Sequence, residues 1–293
     1  ETPDRMPVTA ARAELHRQAM QHAMLHHHRT TPGHGVAGLG LSVSLYPKLS
    51  QTMPENSSLV VVGAHHFGGD PNDPVYNAVS KVTWASVLLV EASPPVATEL
   101  AGRVKAANPT PHVPPSRVRV VAQGICPGSE DERSLPFYTL PATQGLPYWT
   151  AQLGSFSKQH IEKHFRTLLG VQKPGAKLTV EDLRSRVAVE SVRCTSLLGM
   201  LKRESVERLG LLIVDTEGLD CEMLASQDWL SAGWCALSPT MLIFEWRHCR
   251  PDAYLKVTAA LQQVAAHRRN SSVPLGGLLA SEVTTSPCPN VQA

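Results

Sequence analysis

The 293-residue chain lacks an excess of charge of either sign: 27 Lys and Arg stand against 25 Asp and Glu, a formal net charge of +2. That balance removes the electrostatic basis for nucleic acid or an anionic membrane as the main partner. Aromatic residues are scarce, at 5%, and no basic stripe interleaved with aromatics occurs. No stretch approaches the roughly 18 consecutive apolar residues that span a bilayer, so no membrane span is expected. The six cysteines include no CxxC pair, which leaves a zinc ribbon without support and disulfides open. Internal repeats are absent too. What is present is 42% hydrophobic residues, enough for a sizeable core in a chain of this length.

The pattern along the chain changes twice. Residues 1–50 contain "VTAARAELHRQAMQHAMLHHH", rich in helix formers and stopped by "TTPGHG", and are expected to form an N-terminal helical extension. Its histidines (among them His22, His26, His27 and His28) fit no metal-ligand spacing and read as a solvated helical face. Residues 51–272 alternate strand and helix signals, which argues for an α/β, Rossmann-like, doubly wound and mostly parallel sheet. Residues 273–293 form a C-terminal tail.

Within the α/β region, "SLVVVG", "SVLLVEASP", "SRVRVVAQGI", "LLIVD" and "PTMLIFEW" read as strands. An unbroken apolar run marks a strand buried on both faces. "PPVATELAGRVKAAN", "SKQHIEKHFRTLL", "TSLLGMLKRESVERL", "CEMLASQDWL" and "PDAYLKVTAALQQVAAHRR" read as helices. "RSLPFYTL" is expected to be a hairpin or loop over the sheet, "KPGAKLTVEDL" a connection, and "RVAVESVRC" an antiparallel strand.

Ligands of such sheets bind beyond the carboxyl ends of the strands. Three ends are chemically distinctive. The first runs into "GAHHFGGD", where Gly63, Gly68 and Gly69 allow the backbone to approach a ligand closely. The second ends in Glu91, whose two oxygens suit a ribose diol. The third ends in Asp215, inside "LLIVDTEGLDCEML". A glycine turn followed by an acid one strand later is a nucleoside-binding arrangement. The G-x-G-x-x-G pattern of a nicotinamide dehydrogenase is not met, because His65 occupies the second glycine position. His160 and His164 stand four apart on an expected helix, a spacing compatible with metal binding, but no third ligand is apparent and no metal is expected. Asp220 and Glu222 read as first-turn acids favoured by the helix dipole.

These residues resemble the FkbM-type methyltransferases, a branch of the class I S-adenosylmethionine-dependent enzymes. "LLIVDTEGLDCEML" is similar to the family's apolar strand followed by Asp-x-Glu-Gly and a further acid. "VESVRCTSLLGML", "LLVEASPP" and "PTMLIFEWRHC" resemble the segments that accompany it, in the family's order, so that the likeness spans about residues 57–249. The first motif departs from the family pattern: Val61 stands where an acid belongs, His65 replaces an Asn, and Phe67 falls where the second glycine is expected, with Gly68 one residue late.

The resemblance implies S-adenosylmethionine as cofactor, held by Gly63, Ala64, His65 and Gly68 and by Glu91, Ala92 and Ser93. It implies O-methylation of a hydroxyl on a sugar or other small metabolite, or a glycan, with Asp215, Glu217, His248 and Glu245 as the catalytic group. Asp215 and His248 are equal candidates for the base. The altered first motif keeps a second expectation in play, a non-catalytic binding or scaffold protein that retains the fold. The first residue is Glu1 rather than Met, and two N-x-S sequons begin at Asn56 and Asn270. Together they tilt the expected compartment toward a secretory, Golgi-like lumen over the cytoplasm.

Overall fold

A computed structural model describes residues 53–65, 82–106, 113–128, 132–141, 145–147, 150, 153–172, 175–230, 237, 239–246 and 248–270. The expected N-terminal extension, Gly68 and the C-terminal tail lie outside these residues. The described elements, in chain order, are β1 (Ser58–Val62), β2 (Ser86–Glu91), α1 (Pro94–Ala106), β3 (Val118–Ala122), β4 (Gly124–Ile125), β5 (Arg133–Thr139), α2 (Lys158–Lys163), α3 (Phe165–Gly170), α4 (Val180–Arg186), β6 (Ala188–Thr195), α5 (Leu197–Arg203), β7 (Leu209–Val214), α6 (Asp220–Leu224), β8 (Met241–Phe244) and α7 (Pro251–Asn270).

Five strands form one parallel sheet in the order β3-β2-β1-β7-β8. The chain therefore has the Rossmann-like α/β fold that its sequence suggests, with β1 central and a switch in winding between β1 and β7. Every residue of β1 and β7 is buried, the result of helices and connections covering both faces. Alternate residues serve opposite layers. Val60, Val62, Leu88, Val90, Leu212 and Val214 pack with α5, α6 and α7. Leu59, Val61, Val87, Leu89, Leu211 and Ile213 pack on the other side with Leu100 and Val104 of α1 and with Trp84. This period of two is what a pleated strand imposes on its side chains.

The expected single strand over "SRVRVVAQGI" is in fact two. β3 closes the large sheet, and after Gln123 the chain enters β4, which belongs to a second sheet in the order β4-β6-β5. Here β6 runs antiparallel to β5, as its sequence suggests, and parallel to β4. The expected helix over residues 157–169 is likewise divided. His164 closes α2 and opens α3, and the connection before β6 contains α4, fixed by a reciprocal capping box between Thr179 and Asp182. Leu140, Leu153, Ile161, Phe165, Leu168 and Leu183 bury this layer's own small core.

Two disulfides join these parts. Cys126–Cys194 links the ends of β4 and β6, and Cys221–Cys249 links α6 to the segment after β8, with Cα separations of 5.8 and 5.4 Å. No helix of the described residues is long and apolar enough to cross a membrane.

Candidate active site

Register places the site. Val62 pairs with Val90 on one side and Val214 on the other, and Val214 pairs with Phe244. One residue further along, Gly63, Glu91, Asp215 and Glu245 stand side by side at the carboxyl edge of the sheet. Gly63, Glu91 and Asp215 line one crevice with His65, Ala92, Ser93, Gln123 and Glu217. Ala64, expected among the cofactor residues, does not line the crevice; it is buried in the core layer that holds Val61 and Trp84.

Gly63 has φ +80°, and a Cβ there would lie 1.7 Å from the carbonyl oxygen of Asp215. Only glycine lets the β1 turn pass this close to the end of β7. His65 follows with φ +35°. Its backbone N–H donates to Glu91 Oε2 at 3.0 Å, while the Ser93 N–H donates to Glu91 Oε1 at 2.9 Å. The Glu91 carboxyl therefore ties the first turn to the second while lining the crevice. Burial raises its pKa above the ordinary glutamate value, and the backbone donors act against that rise.

The third turn carries most of the chemistry. Burial, reinforced by the neighbouring Glu217, Asp220 and Glu245 carboxylates, pushes Asp215 up to about 8. Glu217 sits two residues away and is shifted the other way. Burial favours its neutral form, but the hydrogen bond from His160 and the adjoining imidazoles outweigh it and hold the carboxyl below its usual value. Two carboxyls in one turn are thereby driven apart, so that one keeps its proton where the other has lost it. Asp220 stands in the first turn of α6 as expected, but it is only 1% exposed. It accepts the Thr216 hydroxyl at 3.0 Å, closing the turn on itself, and burial lifts it to about 7. Glu222 pairs with Arg250 at 3.0 Å.

Comparison with family models, curated proteins and solved structures found no match.

Beside the crevice, the structure gives His160 and His164 the companions that spacing alone could not supply. Glu217 Oε2 lies 2.9 Å from His160 Nε2, and His164 Nε2 lies 3.4 Å from the same nitrogen. The His248 ring stands across from both, with centroids 5.0 Å from His160 and 6.1 Å from His164. Burial is the main reason that His164 and His248 each fall to about 4, so both imidazoles are neutral at physiological pH. Lys163, at the end of α2, is lowered by burial, against the pull of Glu217, Glu245 and Asp220. Glu245 Oε1 lies 3.5 Å from His248 Nε2. Of the four expected catalytic residues, Asp215 and Glu217 line the crevice, whereas Glu245 and His248 flank it and join it to the histidines.

Several residues went unseen in the sequence. Phe137, Thr139, Gly154 and Phe156, from β5 and the segment before α2, form the remaining wall of the crevice. Ser155 donates its hydroxyl to the Glu217 carbonyl at 2.9 Å. Glu217 itself has φ +51° and Gly218 φ +106°; a Cβ at Gly218 would lie 2.4 Å from His160 Nδ1. A glutamate in the left-handed region beside an obligatory glycine is a strained turn that has to be held by its surroundings. The glycine inside "DTEGLD" was the available signal.

Proposed function

We propose that the protein is an S-adenosylmethionine-dependent O-methyltransferase acting on a hydroxyl of a sugar or other small metabolite. The observation that carries this reading is the side-by-side placement of Gly63, Glu91 and Asp215 on one crevice at the winding switch of a parallel sheet. The likeness of "LLIVDTEGLDCEML" to the FkbM-type signature supports it.

The residues fit the cofactor. Glu91, buried at the second strand end, retains lone pairs for ribose hydroxyls after accepting two backbone N–H groups, and Gly63, turned tightly against the Asp215 carbonyl, keeps the β1 turn on the same crevice. Bound S-adenosylmethionine supplies an electrophilic methyl group on a sulfonium. The chain's task is to bring an acceptor oxygen onto the axis opposite the departing sulfur and to take its proton. Phe137, Thr139 and Phe156 offer an acceptor both apolar faces and a hydroxyl along the opposite wall. Asp215 and Glu217 are the carboxyls of the third strand end that line the crevice, and Asp215 is assigned to proton handling at the acceptor hydroxyl. His160 orients Glu217 through the 2.9 Å contact.

Calorimetry with S-adenosylmethionine and its demethylated product is the direct test. Saturable binding is expected, together with methyl transfer to an acceptor that Asp215→Asn reduces by at least 100-fold, the scale of a lost general acid–base or positioning contribution. Folded protein that evolves no heat at millimolar cofactor would refute the reading.

One observation favours the second reading, a non-catalytic member of the same fold. Val61 is fully buried among Leu59, Leu89 and Ile213, so β1 carries no acid where the resembled motif has one. Methyl transfer to any acceptor excludes it.

A further inference from the structure

We infer that His160, His164, His248 and Glu217 form a binding site for one divalent transition-metal ion of the zinc class, at the edge of the crevice. This inference does not depend on methyl transfer.

The four side chains come from three separate parts of the chain. His160 is on α2 and His164 directly after it, Glu217 is in the turn after β7, and His248 follows β8. Each offers one ligand atom, and all four atoms lie within 4.8 Å of one another. A tetrahedral ion with metal–nitrogen bonds near 2.0–2.1 Å places neighbouring ligand atoms about 3.3–3.4 Å apart. The two Nε2 atoms of His160 and His164 are already at 3.4 Å, and the Glu217 oxygen is at 2.9 Å from the first of them. His160 Nε2 thus faces two polar atoms while carrying at most one hydrogen, so it can donate to only one of them. An ion at the centre satisfies all of these atoms together.

The donor set selects the class of metal. Three imidazoles with one carboxylate suit zinc and its neighbours, whereas magnesium and calcium require mostly oxygen ligands. The surrounding shell holds the ligands in place. Gly218 has no side chain where one would strike His160. Ser155 fixes the backbone of Glu217, Glu245 stands beside the His248 ring, and the Cys221–Cys249 disulfide anchors the residue next to His248. Such outer contacts orient metal ligands in general.

The test uses the full chain, stripped with a chelator and titrated with Zn²⁺ or Co²⁺. One ion per chain is expected to bind, raising the thermal midpoint, with Co²⁺ giving the intense visible absorption of a four-coordinate site. His164→Ala and His248→Ala should each weaken binding by at least tenfold. Replacing His26, His27 and His28 together with alanine should leave it unchanged. Histidine-ring NMR of the unsubstituted chain supplies a readout independent of whether a variant folds: three ring signals should shift together with one equivalent of Zn²⁺. The inference fails if uptake disappears in the His26/His27/His28 variant, if the His164 and His248 variants bind as tightly as the parent, or if those ring signals do not move.

Discussion

At the scale of single residues, the site depends on backbone positions as much as on acids. The carbonyl of Asp215 occupies the volume in which a side chain at residue 63 would begin, 1.7 Å from an ideal Cβ. Neither partner can yield, because β1 and β7 are paired without a break from Leu59–Leu211 to Val62–Val214 and Asp215 N–H donates to Val62 O at 2.9 Å. Gly63→Ala adds the cost of a left-handed alanine, about 1–2 kcal/mol, to overpacking of about 1–3 kcal/mol. The variant should lose about 3 kcal/mol of stability in urea or guanidinium unfolding. Unfolding at the parent's midpoint would show that the β1 turn does not lie against Asp215.

At the scale of elements, the crevice is a sheet edge on one side and a set of short segments on the other. The edge is rigid because five strands share a continuous buried core. The far wall comes from β5 and the segment before α2, followed by α2 and α3 of 6 residues each, and helices so short are marginal without tertiary support. Cys221–Cys249 supplies part of that support by tying α6 to the segment that carries Glu245 and His248. It closes a stretch of 28 residues, for which chain entropy corresponds to about 3–4 kcal/mol. Replacing both cysteines with alanine should therefore lower the unfolding free energy by about 2–4 kcal/mol, seen as an earlier denaturant midpoint. Reducing agent, which also opens Cys126–Cys194, should lower the parent at least as far as the variant. A parent insensitive to reductant and a variant of unchanged midpoint would mean that the bond does not form.

For the whole molecule, the central sheet was legible in the sequence because β1, β2 and β7 are buried on both faces, so that each reads as an apolar run ending in Gly63, Glu91 or Asp215. Parallel register then brings these three residues together without further information. The companions of His160 could not be read, since Glu217 and His248 reach it through folding of distant segments and not through any periodicity. Disulfide partners were hidden for the same reason. Asp220 shows a further kind of concealment: its position in the first turn of α6 was evident, its burial was not. That burial has a consequence for global unfolding. The carboxyl is 1% exposed and its pKa rises from 3.8 to about 7 because of it, so between these values the folded chain holds a proton that the unfolded chain has released. The contribution to stability is complete below the unfolded value of 3.8 and is lost as pH rises through the folded value near 7. Asp220→Asn keeps an oxygen for the Thr216 hydroxyl and carries no charge at any pH. Measured in chelator, the variant and the parent should have similar unfolding free energies near pH 4. The variant should then gain progressively on the parent, by about 2–4 kcal/mol when pH passes 7, and hold that margin above it. A difference that stays constant with pH would show that Asp220 titrates alike in the folded and unfolded chains, and that the turn after β7 is open to water.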